Sequence, residues 1–219
     1  MAIKAVVFDI GGILEVIPEG GDPTSRFPLM LARWEQRLSM APGALTEAIS
    51  ALDARLQSAG KDGALGTCSY DEWVGEFRAV TGWDAATMDA FMEEHWETYI
   101  GEPNPELAAY FADLRPRYRT AFLSNSFVGA REREQAARAF EDMADLIVYS
   151  HEVGVAKPDS RIYALTCERL GVHPAEMIFL DDALPNIAAA RDFGIHAILF
   201  QDNAQAIREI EALLATHGA

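Results

Sequence analysis

The sequence predicts an α/β protein, a parallel sheet with helices on both faces and an all-helical segment inserted after the first strand. Three observations carry this. A short, apolar, β-branched stretch stands at residues 3–8, the composition of a strand buried on both faces. From residue 101 onward, strand-like and helical segments alternate. Between the two, over roughly 18–100, only helical periodicity appears.

The first strand reads Ile3-Lys4-Ala5-Val6-Val7-Phe8 and ends on Asp9. Gly11-Gly12 follow, a turn that lets backbone approach a ligand closely. A Gly- and Pro-rich loop covers 18–23. Leu29, Leu31, Trp34 and Leu38 then fall near helical spacing, as do Leu45, Ala48, Ile49, Leu52 and Leu56. Two more helices are expected over 69–80 and 84–99. Ser69 and Asp84 are their N-caps, and Glu72 stands three after Ser69, the capping-box spacing. A hinge at 101–105 places Asn104 as N-cap and Pro105 at the first helical position. Strands are expected at 120–123, 146–149, 177–180 and 197–200. They alternate with helices ending near 114 and covering about 131–140, 160–170 and 184–193, and a last amphipathic helix closes the chain. The expected domains are thus a discontinuous α/β core, 1–17 plus 101–219, and a helical cap, 18–100.

Composition narrows the function classes. Half of the 219 residues are hydrophobic and the formal net charge is -16. Clustered Lys and Arg carry nucleic-acid affinity, so no nucleic-acid partner is expected. No apolar run reaches the roughly 18 residues of a membrane span, and the N-terminus lacks a signal-peptide pattern, so the expected location is cytoplasmic, without a membrane partner. Cys68 and Cys167 are expected to be reduced thiols. Oligomeric state is left open.

In an open parallel sheet, ligands bind beyond the carboxyl ends of the strands. Asp9, Ser124-Asn125 and Asp181-Asp182 each follow a strand, and Lys157 lies in the loop after the strand at 146–149. Each also has a plain reading as a turn, cap or solvated loop residue. Together they converge on one rim.

These residues resemble the haloacid dehalogenase superfamily. Val6-Val7-Phe8-Asp9-Ile10-Gly11-Gly12-Ile13-Leu14 is similar to its first motif and Leu123-Ser124-Asn125-Ser126 to its second. Lys157-Pro158-Asp159 with Ile162-Tyr163 is similar to the third. Phe179-Leu180-Asp181-Asp182, with Asn186, Ala189-Ala190 and Gly194, is similar to the fourth. The order covers the chain outside the helical segment, and the insertion resembles the cap of haloacid dehalogenases, β-phosphoglucomutases and the phosphatase domain of soluble epoxide hydrolases. The Asp-x-Gly-Gly form looks nearest to that last group. The resemblance implies a Rossmann-like core and a covalent aspartyl intermediate on Asp9. It implies Ser124, with Asn125, Gly11 and Gly12 around it, on the phosphate, and Lys157 holding Asp9 ionised. It implies Mg²⁺ held by Asp9, the Gly11 carbonyl, Asp181 and Asp182.

The expected activity is a Mg²⁺-dependent phosphatase acting on a small phosphorylated substrate, such as a sugar or nucleoside phosphate. One position departs from the family pattern. Phosphatases of this superfamily carry a second aspartate two residues after the nucleophile as acid and base, and here that residue is Gly11. Glu15 and Asp22 are candidate substitutes. The alternatives are a metal-independent 2-haloacid dehalogenase and a degenerate binding member. Asn186 is expected to anchor the metal loop. Trp34, Trp73, Trp83 and Trp96 are expected mostly to fill the cap core. The five histidines show no metal-ligand spacing, and His151 lies nearest the Lys157 loop.

Overall fold

The computed structural model describes residues 1–16 and 26–217. The expected loop at 18–23, with Asp22, lies outside them. In chain order come the strands β1 (Ala5–Phe8) and β2 (Glu15–Val16), then four helices, α1 (Arg26–Arg37), α2 (Ala44–Ser58), α3 (Tyr70–Thr81) and α4 (Ala85–Ile100). β3 (Glu102–Pro103), α5 (Pro105–Leu114), β4 (Arg119–Ser124), α6 (Ala130–Arg138) and α7 (Phe140–Met143) follow. The chain continues through β5 (Leu146–Tyr149), α8 (Ser150–Val153), α9 (Ser160–Leu170), β6 (Met177–Asp181), α10 (Leu184–Asp192), β7 (His196–Leu199) and α11 (Asn203–His217).

Five strands form a parallel sheet in the order β5-β4-β1-β6-β7. Strand alternation sorts its side chains onto two faces. Val6, Phe8, Phe122, Ile178 and Leu180 pack on one face with Leu107 and Phe111 of α5 and Ile210 and Leu214 of α11. Ala5, Val7, Leu123, Met177 and Phe179 pack on the other with Ile162 and Tyr163 of α9 and Ile187 of α10. Both faces are covered, which explains the unbroken apolar runs. The chain moves outward from β1 through β4 to β5 and then returns to β6 on the other flank. The sheet therefore has its topological switch beside β1, and the crevice at a switch point is where such sheets bind ligands.

Helices α1–α4 have a separate hydrophobic cluster built on Met30, Trp34, Leu45, Leu52, Trp73, Phe77, Phe91 and Met92. Trp34, Trp73 and Trp96 are buried, as expected of core fillers. The Ser69–Glu72 capping box is present, Asp84 Oδ1 accepts from Thr87 N at 2.8 Å, and Asn104 caps α5 with Pro105 at its start. Leu29 departs from the expected apolar stripe and is 57% exposed on the first turn of α1. Cys68 and Cys167 are buried free thiols. Among the described residues, no helix is long and apolar enough to cross a membrane.

The sequence pattern did not reveal the antiparallel pair β2–β3. It joins the two chain crossings that flank the helical insert. On the opposite side, the loop between α2 and α3 rests on the core. Val128 N donates to Gly63 O at 3.1 Å and Ser150 Oγ to Ala64 O at 2.9 Å. A Cβ on Gly66 would stand 1.7 Å from the His151 carbonyl oxygen, so only glycine permits this approach.

Candidate active site

The sheet register pairs Phe8 with Phe122 on β4 and with Leu180 on β6. Asp9 therefore stands one step beyond β1, level with Asp181 at the end of β6. Lys157 reaches between them. Its Nζ lies 2.9 Å from Asp9 Oδ1 and 2.7 Å from Asp181 Oδ2. Asp9 is 8% exposed, Lys157 4% and Asp181 0%. Asp182, Gly11 and Asn125 are exposed around them.

The supporting bonds differ for each acid. Asp9 Oδ1 also accepts from Ile10 N at 2.8 Å. Asp181 Oδ1 accepts from Ala183 N at 2.8 Å and from Asn186 Nδ2 at 3.0 Å. Asp181 is thus held on every side, and Asn186 anchors the loop. Tyr163 in turn donates to the Asn186 carbonyl at 2.9 Å. Asp182 presses on the other glycine of the first turn. Gly12 has φ +74°, and a Cβ there would lie 2.1 Å from Asp182 Oδ2. The φ of Gly12 favours glycine, and a Cβ there would also make the Asp182 carboxyl move.

Asn125 brackets the Lys157 backbone. Its Nδ2 donates to Lys157 O and its Oδ1 accepts from Lys157 N, both at 2.8 Å. The expected substrate-contacting amide is therefore engaged in fixing the lysine loop. Ser124 is buried at the end of β4, and its Oγ lies 3.5 Å from Asn125 O.

Burial raises the Asp9 carboxyl to about 7. Lys157 opposes this rise and Asp181 adds to it. Burial disfavours the Lys157 ammonium, but Asp9 and Asp181 outweigh it and raise its pKa. Burial and then Asp181 raise Asp182. Oxygens of Asp9, Asp181 and Asp182 all lie within 4.8 Å of one another. Three carboxylates facing one ammonium leave two negative charges when all are ionised. Such a set repels a phosphate dianion unless a cation joins it, and its hard oxygens suit a divalent ion. The residues present therefore fit Mg²⁺.

A second polar cluster lies within electrostatic reach of Asp9. Burial, followed by Glu134, pushes Glu15 of β2 up to about 9 against the pull of Arg138 and Arg26. Glu15 Oε1 and Arg138 Nε are 4.0 Å apart, and neither has a hydrogen-bond partner among the described residues. Glu134, on α6, accepts from Tyr149 and from Tyr99 at the end of α4, and burial raises it to about 7. Burial raises Tyr99 well above its usual range, with Glu134, Glu15 and Asp9 adding to the effect. Sequence reasoning missed Tyr99 and Glu134. A lone glutamate in a polar helix carries no signal that it turns inward.

Glu15 gives a stability prediction. Its pKa is raised on folding, so the folded protein keeps a proton that the unfolded chain releases between about 4.5 and 9. Stability falls as pH rises through that window. Glu15→Gln lacks this linkage, so its Tm advantage over wild type is expected to grow from pH 5 to pH 9, by roughly 2–4 °C for each kcal/mol. Parallel Tm-against-pH curves for the two proteins would show that Glu15 does not titrate in this way.

His151 contacts the core loop, with Nδ1 2.6 Å from Ser126 Oγ. Burial lowers His95 to about 4 among the rings of Phe27, Trp73, Phe91 and Trp96.

The family model for haloacid dehalogenase-like hydrolases matches residues 3–194. Bifunctional epoxide hydrolase 2 of Sus scrofa is 27% identical over 96% of this chain and 39% of its own length. The chain thus spans less than two fifths of that relative. D-ribitol-5-phosphate phosphatase of Bacteroides thetaiotaomicron is 26% identical over 97% of this chain and 98% of its own. A magnesium complex of a haloacid dehalogenase family enzyme from the same organism superposes with TM-score 0.70 at 20% identity, covering 95% of this chain and 100% of that one. At that identity the likeness is one of fold.

Proposed function

Because the chain belongs to the haloacid dehalogenase-like hydrolases, we propose that it is a Mg²⁺-dependent phosphatase of a small phosphorylated metabolite. The observation that carries this reading is the paired-acid site, in which Lys157 bridges Asp9 and Asp181 while Asp182 stands exposed beside them. Asp9, Asp182 and the Gly11 carbonyl would hold the ion. Asp181, fixed by Lys157, Asn186 and Ala183 N, would add its charge. When bound, Mg²⁺ would neutralise carboxylate and phosphate charge and orient the phosphoryl group.

The chain's own residues account for the rest. Among the described residues, both contacts to Asp9 fall on Oδ1, leaving Oδ2 for attack on phosphorus. Lys157 holds the Asp9 carboxylate in place and offsets charge that develops on the phosphoryl oxygens. Asn125 fixes the loop that delivers Lys157. Ser124 would donate to a phosphate oxygen. Residues 18–100 would act as a cap over the crevice, excluding bulk water and selecting the substrate.

The test is a screen of phosphorylated metabolites and 2-haloacids, each run with Mg²⁺ and with chelator. Phosphate release that requires Mg²⁺ supports the proposal. Halide release in the presence of chelator would replace it with a dehalogenase, a reaction that needs neither the ion nor an acid for its leaving group.

A further inference from the structure

The position beside the nucleophile is open. Gly11 is exposed, and its φ is not among the positive ones. A Cβ built on it meets no atom within 4 Å. Its neighbour Gly12 has no such freedom. Backbone and packing would thus accept a side chain at residue 11, directly at the mouth of the site, and the chain places none there.

Two proton-bearing groups near Asp9 already have carboxylate partners. Lys157 Nζ is shared between two carboxylates. Tyr99 faces Glu134. Glu15 is 3% exposed, bridged through its backbone to the first turn, with its carboxyl toward Arg138 and Glu134. Gly11, exposed beside Asp9, offers no acid of its own to a leaving oxygen.

We propose that the open position at Gly11 confines this site to phosphates whose leaving oxygen departs without a proton: acyl, enol or aryl phosphates rather than alkyl ones. This rests on the phosphatase reading above. In the first step an Asp9 oxygen bonds to phosphorus as the P–O bond to the leaving group breaks, and that oxygen takes the electron pair as an anion. A carboxylate (parent acid ~4) or a phenolate (~10) can leave in this form. An alkoxide, whose parent acid lies near water at ~15.7, leaves poorly without general acid help. In the second step water bonds to phosphorus as the Asp9 oxygen–phosphorus bond breaks. One water proton passes to a phosphate oxygen, so Asp9 returns as carboxylate and phosphate leaves as its monoanion. Neither step requires a side-chain acid.

The experiment measures kcat/KM in saturating Mg²⁺ for aryl phosphates of graded leaving-group pKa, for acetyl phosphate and for glycerol phosphate. It compares wild type with Gly11→Asp, Gly11→Asn and Glu15→Gln. Wild type is expected to fall steeply with leaving-group pKa and to favour acetyl over glycerol phosphate by at least ~10³-fold. Gly11→Asp is expected to gain ~10²-fold on glycerol phosphate with little change on acetyl phosphate, whereas the isosteric Gly11→Asn gains nothing. Wild-type rates on the two substrates within tenfold of each other would overturn the inference without reference to any variant. So would a shallow wild-type plot that steepens in Glu15→Gln, which would assign the proton to that buried carboxyl. Equal slopes in folded, active wild type and Gly11→Asp would overturn it as well. Turnover without discrimination removes this inference alone. No turnover of any phosphate, acetyl phosphate included, removes the phosphatase reading and the inference with it.

Discussion

Asp9→Asn is expected to abolish turnover, by at least about 10⁴-fold in kcat, while the folded protein keeps its Tm or gains slightly. The amide is nearly isosteric with the carboxylate. It can still accept from Ile10 N and from Lys157 Nζ through one oxygen, the two contacts that Asp9 Oδ1 makes. What it lacks is an anionic oxygen able to bond to phosphorus. The stability argument points the same way. Asp9 is raised to about 7, chiefly by burial, so folding disfavours its charge near neutral pH, and a neutral amide escapes that penalty. Two measurements check this. Steady-state phosphate release gives the loss, and acid-quenched mass spectrometry should find one added phosphoryl group on wild type and none on the variant. A folded variant with activity within tenfold of wild type would rule out the covalent step on Asp9.

Most of this site was legible because the features that build it are local. A strand buried on both faces reads as a short β-branched run, and the residue that ends such a run lies on the carboxyl rim, while strand order decides which of these residues meet at the switch point. That rule placed Asp9, Ser124 and Asp181 on the rim, and their resemblance to the family motifs grouped them. Helix starts were equally readable, since Ser69 with Glu72 and Asn104 with Pro105 satisfy backbone donors within a few residues.

Features that depend on contacts distant in sequence were not legible. The β2–β3 pair brings Glu15 opposite Pro103, two residues per strand, with no periodicity to betray it. The polar helix expected over 131–140 breaks instead at Ala139, whose φ of 56° ends α6 before Phe140 turns into the core. Leu29 kept helical spacing yet is exposed, on an open groove beside Ala90 and Glu93 of α4. Asn125 lies at the strand end as expected, and its bonds to the Lys157 backbone were not readable. A side chain at a strand end can face either a ligand or the neighbouring loop, and the bracket on Lys157 belongs to the tertiary structure.

Asp182→Asn and Asn186→Ala are expected to separate ligation from anchoring. Asp182 is the most solvent-accessible acid of the three, yet its carboxyl sits down in the site, where partial desolvation and then Asp181 disfavour its charge. Without the ion, Asp182→Asn should therefore be at least as stable as wild type, since it removes a charge that the folded site tolerates poorly. Its activity should fall by more than the ~10–100-fold usual for losing an outer partner, and raising Mg²⁺ should recover part of the loss. Asn186→Ala acts through a different route. It removes the amide that donates to both oxygens of Asp181, leaving that buried carboxylate with Lys157 and Ala183 N. Its expected result is a lower Tm with or without the ion, and a ~10–100-fold rise in the Mg²⁺ concentration for half-maximal activity. Thermal melts and Mg²⁺ titrations of phosphate release supply both readouts. A stable Asp182→Asn protein with an unchanged Mg²⁺ requirement would place the ion elsewhere. Full wild-type activity in excess chelator would remove the ion from the reaction, leaving Lys157 as the cation that brings Asp9 and its substrate together.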